Sequence, residues 1–434
     1  MIQLDEQQLD VVNSNENRIV VIAGAGSGKT RVLTERVKRL LKEGALPAGL
    51  IAITFTNAAA DELKERLANV PGSKSCFIGT IHSYANKIMR SSGQRYSLLT
   101  DDALIDIYAQ FIARYCKSLT PNAFLAAVEE RRKYCRKTGV VFEIEDVLQA
   151  LPTPCVQEFL PIMRNVKSPN IPYTVEDYIK YNNFLTFDEL ILETAKYLED
   201  NQLSVQNLLV DEFQDVSREE FKFFNSLRAD NMFLCGDPRQ AIYGFKGADV
   251  SILLSLIKSD IYKIYELTNN YRTYENIVKK AESVLQGCKT VVGSSATCVR
   301  QGFGIFEKIE LNKFATTISR IKEKADYSNW AILTRSNKDA AYAQSLCERQ
   351  NIPSVRFKKQ DMSLEELRKV MSSPCVKILT VHTAKGLEFD NVILYGKNFI
   401  LHSTNWYDSA EWEEERRVMY VGMTRAKNNL YLVS

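Results

Sequence analysis

The chain has little with which to build a metal centre or a membrane anchor. Only three histidines occur among 434 residues, none paired with another at ligand spacing, and the nine cysteines include no C-x-x-C pair. A zinc or iron–sulfur site is therefore not expected. The odd cysteine count, with members such as Cys235 in apolar surroundings, reads as small buried hydrophobes in a reducing compartment. No apolar run approaches the roughly 20 residues that a membrane crossing needs. The N-terminal MIQLDEQQLD lacks the apolar core of a signal peptide. The expectation is a cytoplasmic protein without a membrane partner. A surplus of one charge is also missing: 56 Lys and Arg against 53 Asp and Glu leave +3, so a nucleic-acid surface must be a local stripe. Internal repeats, low-complexity tracts and long Gly/Ser linkers are absent.

What is present is a globular chain long enough for two or three domains, 45% hydrophobic and 25% charged. Arg18–Ala23 (RIVVIA) is short and β-branched and runs into glycine, the pattern of a buried strand. Lys29–Lys42 has helical spacing, Leu50–Phe55 reads as a second strand and Ala58–Leu67 as a second helix. Strand, helix, strand, helix predicts a parallel sheet with right-handed crossovers. From about 90 to 205 helical periodicity takes over, with Thr120-Pro121 as N-cap and first-turn proline of a helix over Asn122–Lys137. Its basic cluster, Arg131, Arg132, Lys133, Arg136 and Lys137, is either a phosphate contact or a solvated helix face. Strand patterns return at Leu208–Val210, Met232–Cys235 and Ile264–Leu267. A second α/β unit follows, with strands near Ala331–Leu333, Cys375–Val381, Asn391–Tyr395 and Leu430–Val433. The fold expected is α/β: two parallel-sheet domains facing one another across a cleft, with a helical insertion.

The chemistry begins at Ala23–Thr30 (AGAGSGKT), between a strand and a helix. Gly24, Ala25, Gly26, Ser27 and Gly28 let the backbone wrap an anion with its N–H groups, and the helix N-terminus adds positive potential. Lys29 should reach the β- and γ-phosphates of ATP, and the Thr30 hydroxyl should bind Mg²⁺. Asp211, at a strand end, suits the metal as well. Glu212 is placed to orient and deprotonate an attacking water, which indicates hydrolysis rather than kinase chemistry. Charge developing on the γ-phosphate calls for further cations, and Arg272 (LTNNYR) and Arg425 (YVGMTRAK) are the candidates. Tyr271 is a candidate to stack on the adenine.

Gly236–Ala248 (GDPRQAIYGFKGA) joins two kinds of chemistry in one short run. Gln240 is uncharged and can donate to or accept from a phosphate or a water. Tyr243, Phe245 and Lys246 offer aromatic faces and a cation, the means of holding an unstacked base and its phosphate. Even fully extended, Gln240 and Phe245 are at most roughly 18 Å apart. One segment that feels both ATP and a nucleic-acid strand is what a motor needs.

The series of motifs, in this order, resembles the UvrD/Rep-like (PcrA-like) group of superfamily 1 DNA helicases over most of the chain. The resemblance makes Gln8, in LDEQQ, the adenine reader and Arg31 its flanking arginine. TFTNAAADEL (Thr54–Leu63), with Phe55 and Asn57, and GTIHS (Gly79–Ser83), with His82, become strand-binding motifs. TFDEL (Thr186–Leu190) resembles a further family segment. ILTRSN (Ile332–Asn337) contributes Arg335 and Asn337 to the strand. VKILTVHTAKGLEF (Val376–Phe389) puts Thr380 and His382 on the DNA side and Glu388 near the ribose. EEERRVMYVGMTRAK (Glu413–Lys427) completes the set. The resemblance implies two RecA-like motor domains: 1A over 1–89 and 206–267, and 2A over 268–354 and 376–434, with a helical 1B insertion over 90–205. It also implies ATP-driven movement along single-stranded DNA or at single-strand/duplex junctions, usually 3′ to 5′.

The chain departs from that family at several points. Position 245 is Phe where many members have Trp, 246 is Lys where Arg is usual, and 58 is Ala where Lys is frequent. Phe stacks over less area, Lys lacks the planar fork of Arg, and Ala removes a phosphate contact, so a weaker grip on the strand is expected. The inserted domain 2B is reduced to a linker over 355–375, in which Ser363-Leu364-Glu365-Glu366 starts one short helix to about Met371. The chain ends just after its last motif strand, which is read as the lack of a partner-recruiting tail. A motor that translocates readily but unwinds poorly alone is the expectation. The second reading is an ATP-gated subunit that senses DNA and regulates a protein partner, such as a nuclease in repair or anti-phage defence. A P-loop kinase would not need Glu212, Gln240 and two arginines together. Nothing in the sequence shows whether a 2′-OH is read, so DNA against RNA stays open.

Overall fold

A computed structural model describes residues 3–138, 144–164, 166, 171–322, 326–357, 362–396 and 410–434. The chain forms two compact units, one from 1–81 with 202–434 and one from His82–Asn201. Among the described residues no helix is long and apolar enough to cross a membrane.

The first unit holds two six-stranded sheets, each parallel throughout. In the first, the spatial order is Phe77–Gly79, Leu50–Ile53, Asn207–Val210, Asn231–Gly236, Arg18–Ala23, Lys263–Leu267. In the second it is Ile305–Ile309, Ala426–Val433, Phe389–Tyr395, Trp330–Thr334, Val376–Thr380, Ser354–Arg356. The central strands RIVVIA, NLLV and WAILT are almost wholly buried because helices cover both faces. Val21, Leu209 and Phe233 lock into one apolar core with Val32, Leu33 and Leu63 of the flanking helices. Ile332, Ile378 and Ile393 do the same in the second sheet with Phe314, Ile318 and Ala343.

Among the described strands of the two six-stranded sheets, three escape the sequence reading: Phe77–Gly79, Ile305–Ile309 and Ser354–Arg356. All three lie at sheet edges, where a strand is short or half exposed and carries no continuous apolar signal. The register aligns Ile53, Val210 and Leu234; the first two end their strands, and the third strand runs on only to Gly236. The loops that follow them therefore open on one edge of the sheet, where open α/β sheets bind ligands.

The second unit is mainly helical. Its helix Pro121–Thr138 begins at the expected cap, with the Ala123 N–H donating to Thr120 Oγ1 at 3.2 Å. Phe124, Ile112, Phe159 and Ile162 form its fully buried centre. Ser97–Leu98 and Phe184–Leu185 pair as a two-stranded ribbon. Of the basic cluster, Arg131 pairs with Asp146 at 3.5 Å; the side chains of Arg132, Lys133, Arg136 and Lys137 lie outside the described residues.

Candidate functional site

The phosphate loop follows from local backbone geometry. Strand Arg18–Ala23 passes to helix Lys29–Lys42 through Gly24–Gly28, and Gly28 stands at the helix N-cap with φ of 86°, which glycine adopts without a Cβ penalty. The loop is braced by Ser27 Oγ donating to the Gly24 carbonyl at 2.8 Å. Gln8 Nε2 donates to the Ser27 carbonyl at 2.9 Å, and Asn270 Nδ2 to the Ala25 carbonyl at 2.8 Å. Lys29 Nζ sits 3.3 Å from the Ala23 carbonyl oxygen and 3.8 Å from Glu212 Oε2. Gln8 is held by a capping box with Asp5, whose carboxylate also accepts from the Tyr271 hydroxyl and from Asn269. Burial opposes ionisation of Asp5, but these donors and the charge of Arg31 hold its carboxyl below the usual range. Gln8, Arg31 and Tyr271 are thus gathered around Asp5, beside the phosphate loop.

Asp211 and Glu212 follow strand Asn207–Val210, and the Asp211 N–H donates to the Ile53 carbonyl at 2.9 Å. Glu212 has φ of 51°, a left-handed conformation that costs a non-glycine residue about 1–3 kcal/mol and recurs at functional sites. Its carboxylate turns toward Lys29 and accepts from Gln214 Nε2 at 2.6 Å. The two carboxyls are driven apart. Burial and the Glu212 charge push Asp211 up, whereas the burial of Glu212 is outweighed by Lys29 and Lys385, which hold it ionised. An ionised Glu212 is the form able to take a proton.

Among the described residues no cluster of three or more His, Cys, Asp or Glu could cage a metal. Thr30 and Asp211 do line one cavity, a hydroxyl and a carboxylate beside a phosphate loop. Such hard oxygens would suit a Mg²⁺ ion. When bound, the ion would neutralise charge on the phosphates.

Gln240 is buried. Its Nε2 donates to Asp237 Oδ2 at 2.7 Å and its Oε1 accepts from Arg425 Nη2 at 3.3 Å. Arg425 is 2% exposed, donates to the carbonyls of Val421 and Leu387, and is pushed down to about 9 by burial and by neighbouring Arg272. Arg272 Nε donates to Glu388 Oε2 at 2.6 Å. Lys29, Glu212, Gln240, Arg272 and Arg425 thus belong to one constellation drawn from both sheets.

On the other side of the same segment, Phe55 stacks on Tyr243 at 5.0 Å between centroids, and Phe245 meets His382 edge-on at 5.0 Å. The Tyr243 hydroxyl donates to the His382 carbonyl at 3.1 Å. Tyr243 is only 7% exposed, so its faces are used inside the protein; Phe245 is half-buried and Lys246 exposed. A Cβ on Gly244 would collide with the Glu414 carboxylate, which fixes that turn. Arg335 forks onto Glu415 at 2.8 and 3.0 Å. Asn337 opens a helix capped by Ser336, Thr380 caps Val381–Ala384, and Asn57 opens helix Asn57–Leu67 at an exposed position. His82 belongs to the second unit, where it meets Phe187 of the TFDEL segment edge-on at 5.4 Å. A cavity of about 360 Å³ is lined both by Thr30, Asp211 and Glu212 and by Phe55, Phe245 and Lys246, with Asn337, Thr380 and His382.

Several residues that matter here were not singled out from the sequence. Lys385 pairs with Asp215 and donates to the Gln240 carbonyl at 2.7 Å. Gln214 bridges Glu212 to the Asp237 N–H, and Glu415 holds Arg335. All lie inside the motifs, but only folding shows what they touch. Ala58 is 7% exposed and shares an apolar cluster with Leu367 of helix Leu364–Ser372. That helix starts at the expected Ser363 capping box, and its Arg368 pairs with Glu65 of helix Asn57–Leu67. Position 58 is thus a packing position in this chain, where a lysine would be buried. Residues 358–361 of the linker lie outside the described ones.

Two all-parallel sheets, a phosphate loop after a strand of one and Arg425 just before a strand of the other define a P-loop ATP hydrolase built of two RecA-like domains. The chain belongs to the UvrD/REP helicase family: the UvrD/REP helicase N-terminal domain matches residues 4–260 and the UvrD-like helicase C-terminal domain matches 357–434. It is similar to a "Probable DNA helicase" of Mycoplasma pneumoniae, 29% identical over 474 aligned residues that cover 100% of this chain and 84% of that one. It is also similar to a "Probable DNA helicase II homolog" of Mycoplasma capricolum, 30% identical over 66% of this chain and 41% of that one. The "ATP-dependent DNA helicase PcrA" of Bacillus subtilis is 30% identical over 65% of this chain and 39% of its own. The chain therefore spans about two fifths of the latter two relatives.

Proposed function

We propose that the chain is an ATP- and Mg²⁺-dependent translocase on single-stranded DNA, moving 3′ to 5′, that couples hydrolysis to strand movement. In this reading 1–89 with 206–267 and 268–354 with 376–434 are the two motor domains, 90–205 is the insertion, and 355–375 stands where larger relatives carry a further domain. The observation that carries it is Gly236–Ala248. Gln240 at one end bonds Arg425 beside Glu212, and Tyr243 and Phe245 at the other pack on Phe55 and His382. Movement of Gln240 with the γ-phosphate is then felt by the residues that would hold a base. Lys29, Arg272 and Arg425 stabilise the phosphoryl charge, Glu212 accepts the proton of water, and Thr30 with Asp211 hold the metal. Gln8, Arg31 and Tyr271 take the adenine and Glu388 the ribose. Phe55, Asn57, His82, Phe245, Lys246, Arg335, Asn337, Thr380 and His382 take the strand.

The test is ATPase rate against single-stranded DNA, single-stranded RNA and duplex, with directional displacement of a bound protein as the readout for movement. DNA-stimulated turnover with displacement toward the 5′ end supports the reading. One turnover per assembly event without movement supports a DNA-sensing subunit that regulates a protein partner instead. Phe245→Ala should weaken strand stimulation by roughly 5- to 100-fold, the worth of one stacked base, and spare basal turnover. Equal loss of both would sink the coupling assignment.

A further inference from the structure

Arg300 lies outside every motif, yet it is built into the junction of the two ATP-site arginines. The short strand Thr297–Cys298 runs parallel to Asn269–Asn270, and the Val299 N–H donates to the Asn270 carbonyl at 3.0 Å. This pairing brings Arg300 alongside Arg272. Its Nη1 donates to the carbonyl of Arg272 at 2.6 Å and to the carbonyl of Lys427 at 3.0 Å, and its Nη2 donates to Asn428 Oδ1 at 2.9 Å. The guanidinium lies 4.1 Å from the centroid of the Tyr274 ring. All four partners are uncharged, so the fork joins two backbone segments and is not one half of an ion pair.

The segments it joins are those that carry the chemistry. Arg272 and Lys427 grip opposite oxygens of one carboxylate, Glu388, at 2.6 and 3.3 Å. Thr273 Oγ1 donates to the Ala426 carbonyl at 2.9 Å, and Arg272 Nη1 reaches the Thr424 carbonyl at 3.4 Å. Arg425 sits between Thr424 and Ala426. Arg300 thus holds the main chain of Arg272 and of the Thr424–Lys427 turn, while Glu388 holds the side chains. A lysine has a single charged point and cannot span both carbonyls and the Asn428 amide while lying flat on Tyr274.

We infer that Arg300 is a positioning residue that fixes Arg272 and Arg425 relative to one another for phosphoryl-charge stabilisation. The inference rests on the ATP-hydrolysing reading of this site. Displacement of a catalytic group by about 1 Å can cost about 100-fold in rate, and both arginines are exposed to that loss here.

The test compares Arg300→Ala and Arg300→Lys with the wild type for strand-stimulated ATPase, single-strand affinity without nucleotide, and thermal midpoint. Both variants should lose at least about 10-fold in kcat with strand affinity held within about twofold, since the loss is confined to the transition state. Turnover unchanged within about twofold, full rescue by lysine, or a fall in turnover matched by proportional falls in strand affinity and thermal midpoint would each overturn it. If the wild type itself turns over no ATP, the functional reading fails, and amide hydrogen exchange then decides on Arg300. Faster exchange of Arg300→Ala confined to residues 272–274 and 424–428 sustains the clamp, and unchanged exchange there overturns it.

Discussion

Lys385 forms an ion pair with Asp215, both at least nine-tenths buried, and through the Gln240 carbonyl it ties the second sheet to the Gly236–Ala248 segment that follows a strand of the first. Burial pushes the Asp215 carboxyl up to about 6, with Lys385 opposing that rise. Removing one partner of such a pair leaves an uncompensated charge, which costs more than the pair contributes. Lys385→Ala is therefore expected to destabilise the first unit by about 3 kcal/mol, and adding Asp215→Asn should restore a substantial part. Urea unfolding of the two variants checks this; a double variant no more stable than the single one refutes it.

Glu212 and Lys29 should fail in different ways. Glu212→Gln removes the proton acceptor and keeps the shape, so kcat should fall at least about 100-fold with nucleotide affinity nearly intact. Lys29→Ala removes a phosphate contact and should weaken nucleotide binding as well as abolish turnover. Fluorescent-nucleotide titration beside turnover separates the two, and equal nucleotide affinities in both variants would count against the assigned roles.

His382 gives the site a pH signature. Burial, with Arg335 and Lys385 nearby, pushes its imidazole down from 6.5 to about 3, so it is neutral in the folded protein. A base with a depressed folded pKa contributes fully above pH 6.5 and loses that contribution as pH falls toward 3. At pH 5 the loss should be about 2 kcal/mol. Unfolding free energies at pH 7.5 and 5.0 should fall by that much more in the wild type than in His382→Gln; identical falls would show that His382 is not the group responsible.

Ala58→Lys, which restores the residue frequent in the family, should not strengthen the strand grip here. Ala58 shares an apolar cluster with Leu367 and Leu387 and lines the cavity, so a lysine that stays packed against them buries part of its charge, at about 2 kcal/mol. A variant with a lowered thermal midpoint and no gain in single-strand affinity is expected; tighter binding at unchanged stability would contradict it.

Much of the candidate nucleotide site was legible because its chemistry is local. A phosphate loop needs glycines, a lysine and a hydroxyl in sequence, Asp211-Glu212 sit directly after an apolar strand, and Gln240 lies four residues past the end of another. The strand side was less legible. Tyr243 reads as an open stacking face, yet Phe55 covers it, and Arg335, placed on the strand by the family resemblance, is held by Glu415. The three strands missed in the six-stranded sheets lie at their edges, where exposure removes the apolar pattern.

The two parallel sheets and the family are legible in the chain alone, because they depend on periodicity and on residues close together in it. Which distant residues meet is settled by folding. Lys385 and Asp215 are 170 positions apart, Arg300 is 28 from Arg272 and 127 from Lys427, and Ala58 and Leu367, which share one apolar cluster, are 309 apart. Such pairings are set by the packing of whole elements and leave no local pattern in the chain.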